Sequence, residues 1–229
     1  MTTHQVVRWV LKPAVFIAAL VPFVRLAYGL YTGNVGADPL KEITNETGIW
    51  SLRLLCITLA VTPFRRLTKW NAAIRFRRML GLFAFFYGTV HLLIFIVFDR
   101  LAGMGFPSLA AVSTYRELAS SIGGEILKRP YITVGFTAWV CMLLLAATST
   151  TGMIRRMGGK RWQALHRLIY AAAIAGVLHF WWLVKADVSE PELYAGIVGV
   201  LLLFRVVAWQ LRVRPSPPRP GRPGPPEVV

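Results

Sequence analysis

Residues 77–98 read RRMLGLFAFFYGTVHLLIFIVF. Two arginines open the stretch, and the apolar run behind them has the length, roughly 20 residues, that crosses a bilayer as a helix. One residue does not belong to the apolar pattern. His91 lies well inside the run, and an ionisable side chain inside a membrane is costly enough to mark a functional site.

A second stretch repeats the anomaly. Residues 165–185 read LHRLIYAAAIAGVLHFWWLVK, with His179 deep in it. His91 is 12 residues above Met79 and His179 is 14 above Leu165. At about 1.5 Å per residue those are heights of roughly 18 and 21 Å. Two imidazoles at one depth on different helices are the donor pair that a six-coordinate haem iron uses. A single buried histidine more often serves packing, and the matched depth is what favours a ligand pair.

The rest of the chain fits the membrane reading. Of 229 residues, 55% are hydrophobic, and the mean hydropathy is +0.54. Apolar stretches place six spans near 13–31, 48–64, 79–98, 131–150, 164–184 and 193–211. The fold class is an all-α membrane protein, a six-transmembrane helix bundle. Residues 1–12 form an N-terminal segment, 13–211 the transmembrane domain, and 212–229 a Pro/Arg-rich tail whose composition reads as disordered. No A-x-A-like site follows the first span, so it reads as a retained helix rather than a signal peptide.

The net charge of +16 could indicate a nucleic acid partner. Its distribution indicates a membrane instead. Arg65, Arg66, Lys69, Arg75, Arg77 and Arg78 follow span two without an acid, and Arg155, Arg156, Lys160, Arg161 and Arg167 form a second acid-free cluster. Nine of the ten acids fall in the alternate connections, from Asp38 to Glu192. By the positive-inside rule both termini are cytoplasmic, in a bacterial inner membrane. Between spans three and four lies a long outer connection, where a Ser or Thr at 113–114 caps a short helix. Cys56 and Cys141 sit in apolar stretches with no C-x-x-C spacing, so they read as packing residues.

Other polar residues have two readings each. His166 opens span five, 13 residues below His179. It is either an interfacial histidine or a ligand to a second, inner haem. Thirteen residues on an ideal helix leave the two rings about 140° apart, where two stacked haems prefer one face. No histidine stands opposite it on span three; Arg77 and Arg78 do. Arginine stays protonated and is a poor iron ligand, although it can pair with haem propionates. An inner haem would then be five-coordinate, use another ligand, or be absent. Arg25 and Arg53 interrupt spans toward the outer side, and Arg205 toward the inner side. They snorkel, or Arg25 or Arg53 neutralises outer-haem propionates. Trp162, Trp181 and Trp182 fit interfacial belts. There is no G-x-G-x-x-G and no P-loop, so electrons must come from another protein, a diffusible donor or the quinone pool.

Four stretches carry a family likeness: RRMLGLFAFFYGTVH, RPYIT, TSTTGMIRRMGGKRWQALHRLIY and LHFWWLVK. They resemble the ferric reductase-like transmembrane family, and within it the haem-binding membrane subunits of bacterial methionine sulfoxide reductase systems. The resemblance spans about 10–211. It implies b haems held between helices three and five, with His91 and His179 as the outer pair and His166 as an inner ligand. Arg77 or Arg78 takes the place of a fourth histidine. It also implies bound FMN, which no motif here locates. Electrons would pass from the quinone pool or a cytoplasmic flavin donor to a periplasmic molybdopterin-containing subunit. Sulfoxide reduction would occur on that partner, so this chain is an electron-transfer subunit. The alternatives are a stand-alone ferric or quinone reductase of the same fold, and a transporter whose histidines serve protons or packing.

Overall fold

The computed structural model describes residues 3–102, 104, 112–184 and 186–213. The tail beyond Val213, expected to be disordered, lies outside the described residues. Among those residues the secondary structure is helical throughout. Six helical stretches among the described residues are long and apolar enough to cross a membrane.

The first span begins earlier than the expected residue 13. A short turn, α1 (Thr3–Val6), and a π-helical stretch at Val7–Leu11 run directly into α2 (Lys12–Thr32). Gly33 ends α2 in the left-handed region at φ 67°, a conformation that glycine reaches without a Cβ penalty. Helix α3 (Pro39–Thr68) is much longer than the expected 48–64. Asp38 caps it by accepting the Lys41 N–H at 3.1 Å, and Pro39 occupies the first turn, where its missing N–H costs nothing.

A 3₁₀ turn at Asn71–Phe76 leads into α4 (Arg77–Ile94), which continues as a π-helical stretch to Leu101. The helix expected in the long connection is α5 (Val112–Lys128), 17 residues long; it takes in Ser113 and Thr114, so neither caps it. Arg129 is extended, and Pro130 then opens α6 (Pro130–Ala147). The 151–163 connection folds into two short helices, α7 (Thr151–Met157) and α8 (Gly159–Leu165).

Span five differs from expectation. Hydropathy predicts one helix over 164–184. The span is α8 followed by α9 (Leu168–Leu183), with His166 and Arg167 in the break. Tight i→i+3 bonds run from Arg167 N–H to Ala164 O and from Tyr170 N–H to Arg167 O. Such turns carry a different rotation per residue from an α-helix. The 140° separation reckoned for His166 and His179 on one ideal helix therefore does not apply. No glycine or proline marks the break, so hydropathy could not show it. The last helix, α10 (Ser189–Val213), closes the bundle.

The centre consists of two helix pairs, α3 with α4 and α6 with α9. Helix α10 packs on α9 and α3, and α2 touches α3 and α4 only lightly. Leu59, Ala84, Tyr87, Ala172 and Ala173 are fully buried in the shared core. Alanines at such positions let backbones approach closely, a common basis of helix association in lipid. The outward faces of α2 and α10 expose Ile17, Val21, Val200 and Leu203, as lipid-facing surfaces do.

One contact ties α2 to the centre. The Tyr87 hydroxyl accepts the Phe23 N–H at 3.0 Å and donates to Ala19 O at 2.9 Å. Those two backbone groups are four residues apart and bond each other in an unbroken helix. Pro22, between them, has no N–H to give. A side chain inserted into the ladder beside a proline is a recognised cause of helix bending.

Candidate functional site

The structure brings His91 and His179 together. Their ring centroids are 6.0 Å apart and the ring planes cross at 81°. Both line one cavity of about 370 Å³ between α3, α4, α6 and α9. The depth match read from the sequence is thus a contact across the bundle.

Each ring is held by a backbone carbonyl. His91 Nδ1 lies 3.0 Å from Thr44 O on α3. His179 Nδ1 lies 2.7 Å from Tyr131 O on α6. A carbonyl oxygen can only accept, so both Nδ1 atoms carry the proton. The lone pair that each ring has to offer is therefore on Nε2, the arrangement typical of a metal-ligating histidine.

Two glycines make this approach feasible. A Cβ on Gly135 would stand 2.6 Å from His179 Nδ1, and one on Gly48 would stand 3.2 Å from His91 Nδ1. Each glycine lies four residues after the residue whose carbonyl binds the ring, Thr44 before Gly48 and Tyr131 before Gly135. On a helix those positions share a face. The missing side chain opens the path to the carbonyl.

The histidine-bearing helices also match. Ala84, Gly88 and His91 occupy positions i, i+4 and i+7 of α4; Ala172, Gly176 and His179 do the same on α9. Both alanines are fully buried. The sequence carries this signal as A-x-x-x-G-x-x-H written twice, although no repeat is evident by inspection of the whole chain. Gly48 and Gly135 carry no comparable mark.

No group of three or more His, Cys, Asp or Glu side chains gathers among the described residues. Two imidazoles alone do not complete a metal's coordination, so the pair suits a metal that brings its own equatorial ligands. The spacing passes that test. With metal–imidazole bonds of about 2.0 Å and about 1.1 Å from nitrogen to ring centre, two imidazoles on opposite sides of one metal have centroids about 6 Å apart. The cavity wall is also mostly apolar, with Leu52, Leu55, Ile132, Phe136 and Trp139 among its residues.

Among the described residues that line the cavity, Arg129 is the cation, and sequence reasoning missed it. It pairs with Glu125 at 2.8 Å and donates to the Tyr131 hydroxyl at 3.1 Å. Ile122 and Ile126 of α5 also line the cavity, and Thr133 Oγ1 ties α6 to α5 by donating to Ile126 O. Neither arginine expected beside the outer site lines this cavity. Arg53 donates to the Tyr194 hydroxyl at 2.9 Å and lies over the Trp50 ring. Arg25 lines a separate pocket with Asn34 and Glu42. The side chains turn away because their helix faces do, which single-residue depth cannot reveal.

His166 sits apart from this pair. Its ring stacks on Trp162 at 3.9 Å between centroids, and its Nε2 is 3.2 Å from Thr148 Oγ1. Trp162 Nε1 donates to Thr148 O at 2.9 Å, so this tryptophan packs inward rather than forming a belt. Arg77 and Arg78 bring positive charge to bear on His166. Arg205 snorkels only in part; it donates to Leu59 O at 2.6 Å and lies over Tyr170. Cys56 is buried, Cys141 is half-buried, and both are free.

Comparison with known proteins adds to this geometry. Residues 47–177 match the family described as ferric reductase like transmembrane component. That match takes in Gly48, His91, Gly135 and His166 and stops two residues before His179. The chain is 49% identical over 205 residues to the protein-methionine-sulfoxide reductase heme-binding subunit MsrQ of Herminiimonas arsenicoxydans, covering 88% of this chain and 87% of that protein. It is 51% identical over 195 residues to MsrQ of Ralstonia nicotianae, covering 84% and 83%. It is 48% identical over 222 residues to MsrQ of Xanthomonas axonopodis pv. citri, covering 93% and 94%.

Proposed function

The chain belongs to the ferric reductase-like transmembrane family and, within it, to the MsrQ subunits, and from that premise we propose that it binds haem b between His91 and His179. The observation that carries this reading is the pair itself: two Nδ1-protonated imidazoles at 6.0 Å in an apolar cavity. When bound, haem supplies a one-electron couple within the membrane. The chain's own residues do the rest. His91 and His179 would hold the group through Nε2, and the mostly apolar wall would surround it. Arg129 and the Tyr131 hydroxyl offer charge and a hydrogen bond to the haem carboxylates, in place of Arg25 or Arg53.

The subunit passes electrons across the bacterial inner membrane, with both termini in the cytoplasm. The donor is the quinone pool or a cytoplasmic flavin reductase. The acceptor is the periplasmic molybdopterin-containing subunit MsrP, which reduces methionine sulfoxide in oxidised envelope proteins. His166, Trp162, Arg77 and Arg78 lie at the basic end, where electrons enter; a second haem there would take His166 as its ligand. FMN is a further cofactor that the resemblance implies.

A visible spectrum of the purified protein tests the reading. A Soret band with sharp low-spin α and β bands is expected, and its absence sinks the proposal. The reduced protein should reoxidise on mixing with MsrP. A haem protein that stays reduced would instead be a stand-alone reductase of the same fold.

A further inference from the structure

Two groups fix an axial imidazole: the metal on Nε2 and whatever holds Nδ1. A bond at Nε2 alone leaves the ring free to turn about the metal–nitrogen axis. A hydrogen bond from Nδ1–H to a fixed acceptor removes that freedom, because the acceptor's position selects one orientation of the ring plane. Here both acceptors are main-chain carbonyls, on two different helices: Thr44 O on α3 and Tyr131 O on α6. Helix carbonyls do not change rotamer. Each is reached over a glycine, Gly48 or Gly135, whose missing Cβ leaves room for the ring. The resulting planes cross at 81°.

We infer that Gly48 and Gly135 are positioning residues, which hold the two axial imidazole planes near perpendicular by opening Thr44 O and Tyr131 O to them. The inference rests on the haem reading and deepens it. Ligand planes at right angles leave the two iron orbitals that interact with the imidazole π-systems nearly equal in energy. Parallel planes separate them. The perpendicular ferric centre gives a highly anisotropic low-spin electron paramagnetic resonance spectrum dominated by one large-g feature, whereas the parallel centre gives a rhombic three-line spectrum. The carbonyl bonds also give both ligands imidazolate character, which stabilises the ferric state.

The experiment is electron paramagnetic resonance of the oxidised, haem-loaded full chain, with Gly135→Ala, Gly48→Ala and Gly81→Ala beside it. A Cβ at Gly81 meets only Thr58 Cγ2 at 3.7 Å, so this control should keep the wild-type spectrum. Gly135→Ala should lose the large-g feature to a rhombic or high-spin signal. Gly48→Ala, with its looser contact, should shift the feature to lower g. If Gly135→Ala fails to assemble, Gly48→Ala decides by the same readout. A rhombic wild-type spectrum, or a large-g feature unmoved in the assembled glycine variants, overturns the inference. Either result leaves the haem reading intact if the Soret band is present; a wild-type protein without that band ends the haem reading itself.

Discussion

Tyr131 supports His179 and Arg129 at once: its carbonyl takes the His179 Nδ1–H at 2.7 Å, and its hydroxyl accepts from Arg129 at 3.1 Å. The first residues of α6 therefore hold both the His179 imidazole and the positive charge beside it. Arg129 lies just outside the helix, Pro130 starts it, and Gly135 clears the path to the ring.

Removing either imidazole should convert the site. In His91→Ala and His179→Ala the low-spin bands are expected to disappear, leaving a high-spin spectrum or no haem. Absorption spectra of the purified variants check this. Low-spin spectra unchanged in both would refute the pairing.

Arg129→Gln should weaken haem retention. Charge-assisted hydrogen bonds contribute roughly 1.5–3 kcal/mol, which corresponds to about a ten- to hundredfold loss in affinity. The midpoint potential should move as well, because a positive charge beside the cavity is removed. Arg53→Gln, which loses Tyr194 and Trp50 instead, should leave the potential near that of the wild type. Potentiometric titration compares the two, and equal effects would remove the assignment to Arg129.

Tyr87→Phe tests the link between α2 and α4. The Phe23 N–H and Ala19 carbonyl lose their bridge in a buried position, and leaving such groups unpaired costs about 1–3 kcal/mol. Detergent-resistant stability, followed by the loss of haem absorbance on heating, should fall accordingly while the spectrum before heating is unchanged. An unaltered melting profile would show that α2 closes its own ladder.

His166→Ala should leave the signal of the His91–His179 centre in place, since its ring contacts Trp162 and Thr148 rather than that cavity. Reduction by a cytoplasmic flavin donor should slow, whereas reduction by dithionite should not. Stopped-flow traces with the two reductants distinguish them, and equal slowing would argue for a general structural defect.

Sidedness can be read with fusions. A C-terminal fluorescent protein should light up in the cytoplasm, and alkaline phosphatase fused at the same point should stay inactive. An active phosphatase would invert the topology drawn from the basic clusters.

Much of this was legible before any fold was known. His91 and His179 stood out because each interrupts an apolar run, and constant helical rise turned their positions into equal depths. The span count is legible for the same reason, since hydropathy measures what lipid will accept. Other features left weaker traces. The break at His166–Arg167 has no glycine or proline to announce it. Arg53 and Arg129 are both arginines near the acidic end of the bundle, and only their helix faces separate them. The double A-x-x-x-G-x-x-H pattern was present in the chain, but its meaning depended on Ala84 and Ala172 both being fully buried.

The sequence by itself determined the membrane class, the six spans and the shared depth of the two histidines. These follow from composition, from length and from the rise of a single helix. The tertiary structure decided which carbonyl takes each Nδ1, which glycines clear the way, and which arginine reaches the cavity. Those depend on how one helix is rotated and shifted against its neighbour. That register is set by close packing of many small contacts, and a hydropathy pattern does not encode it.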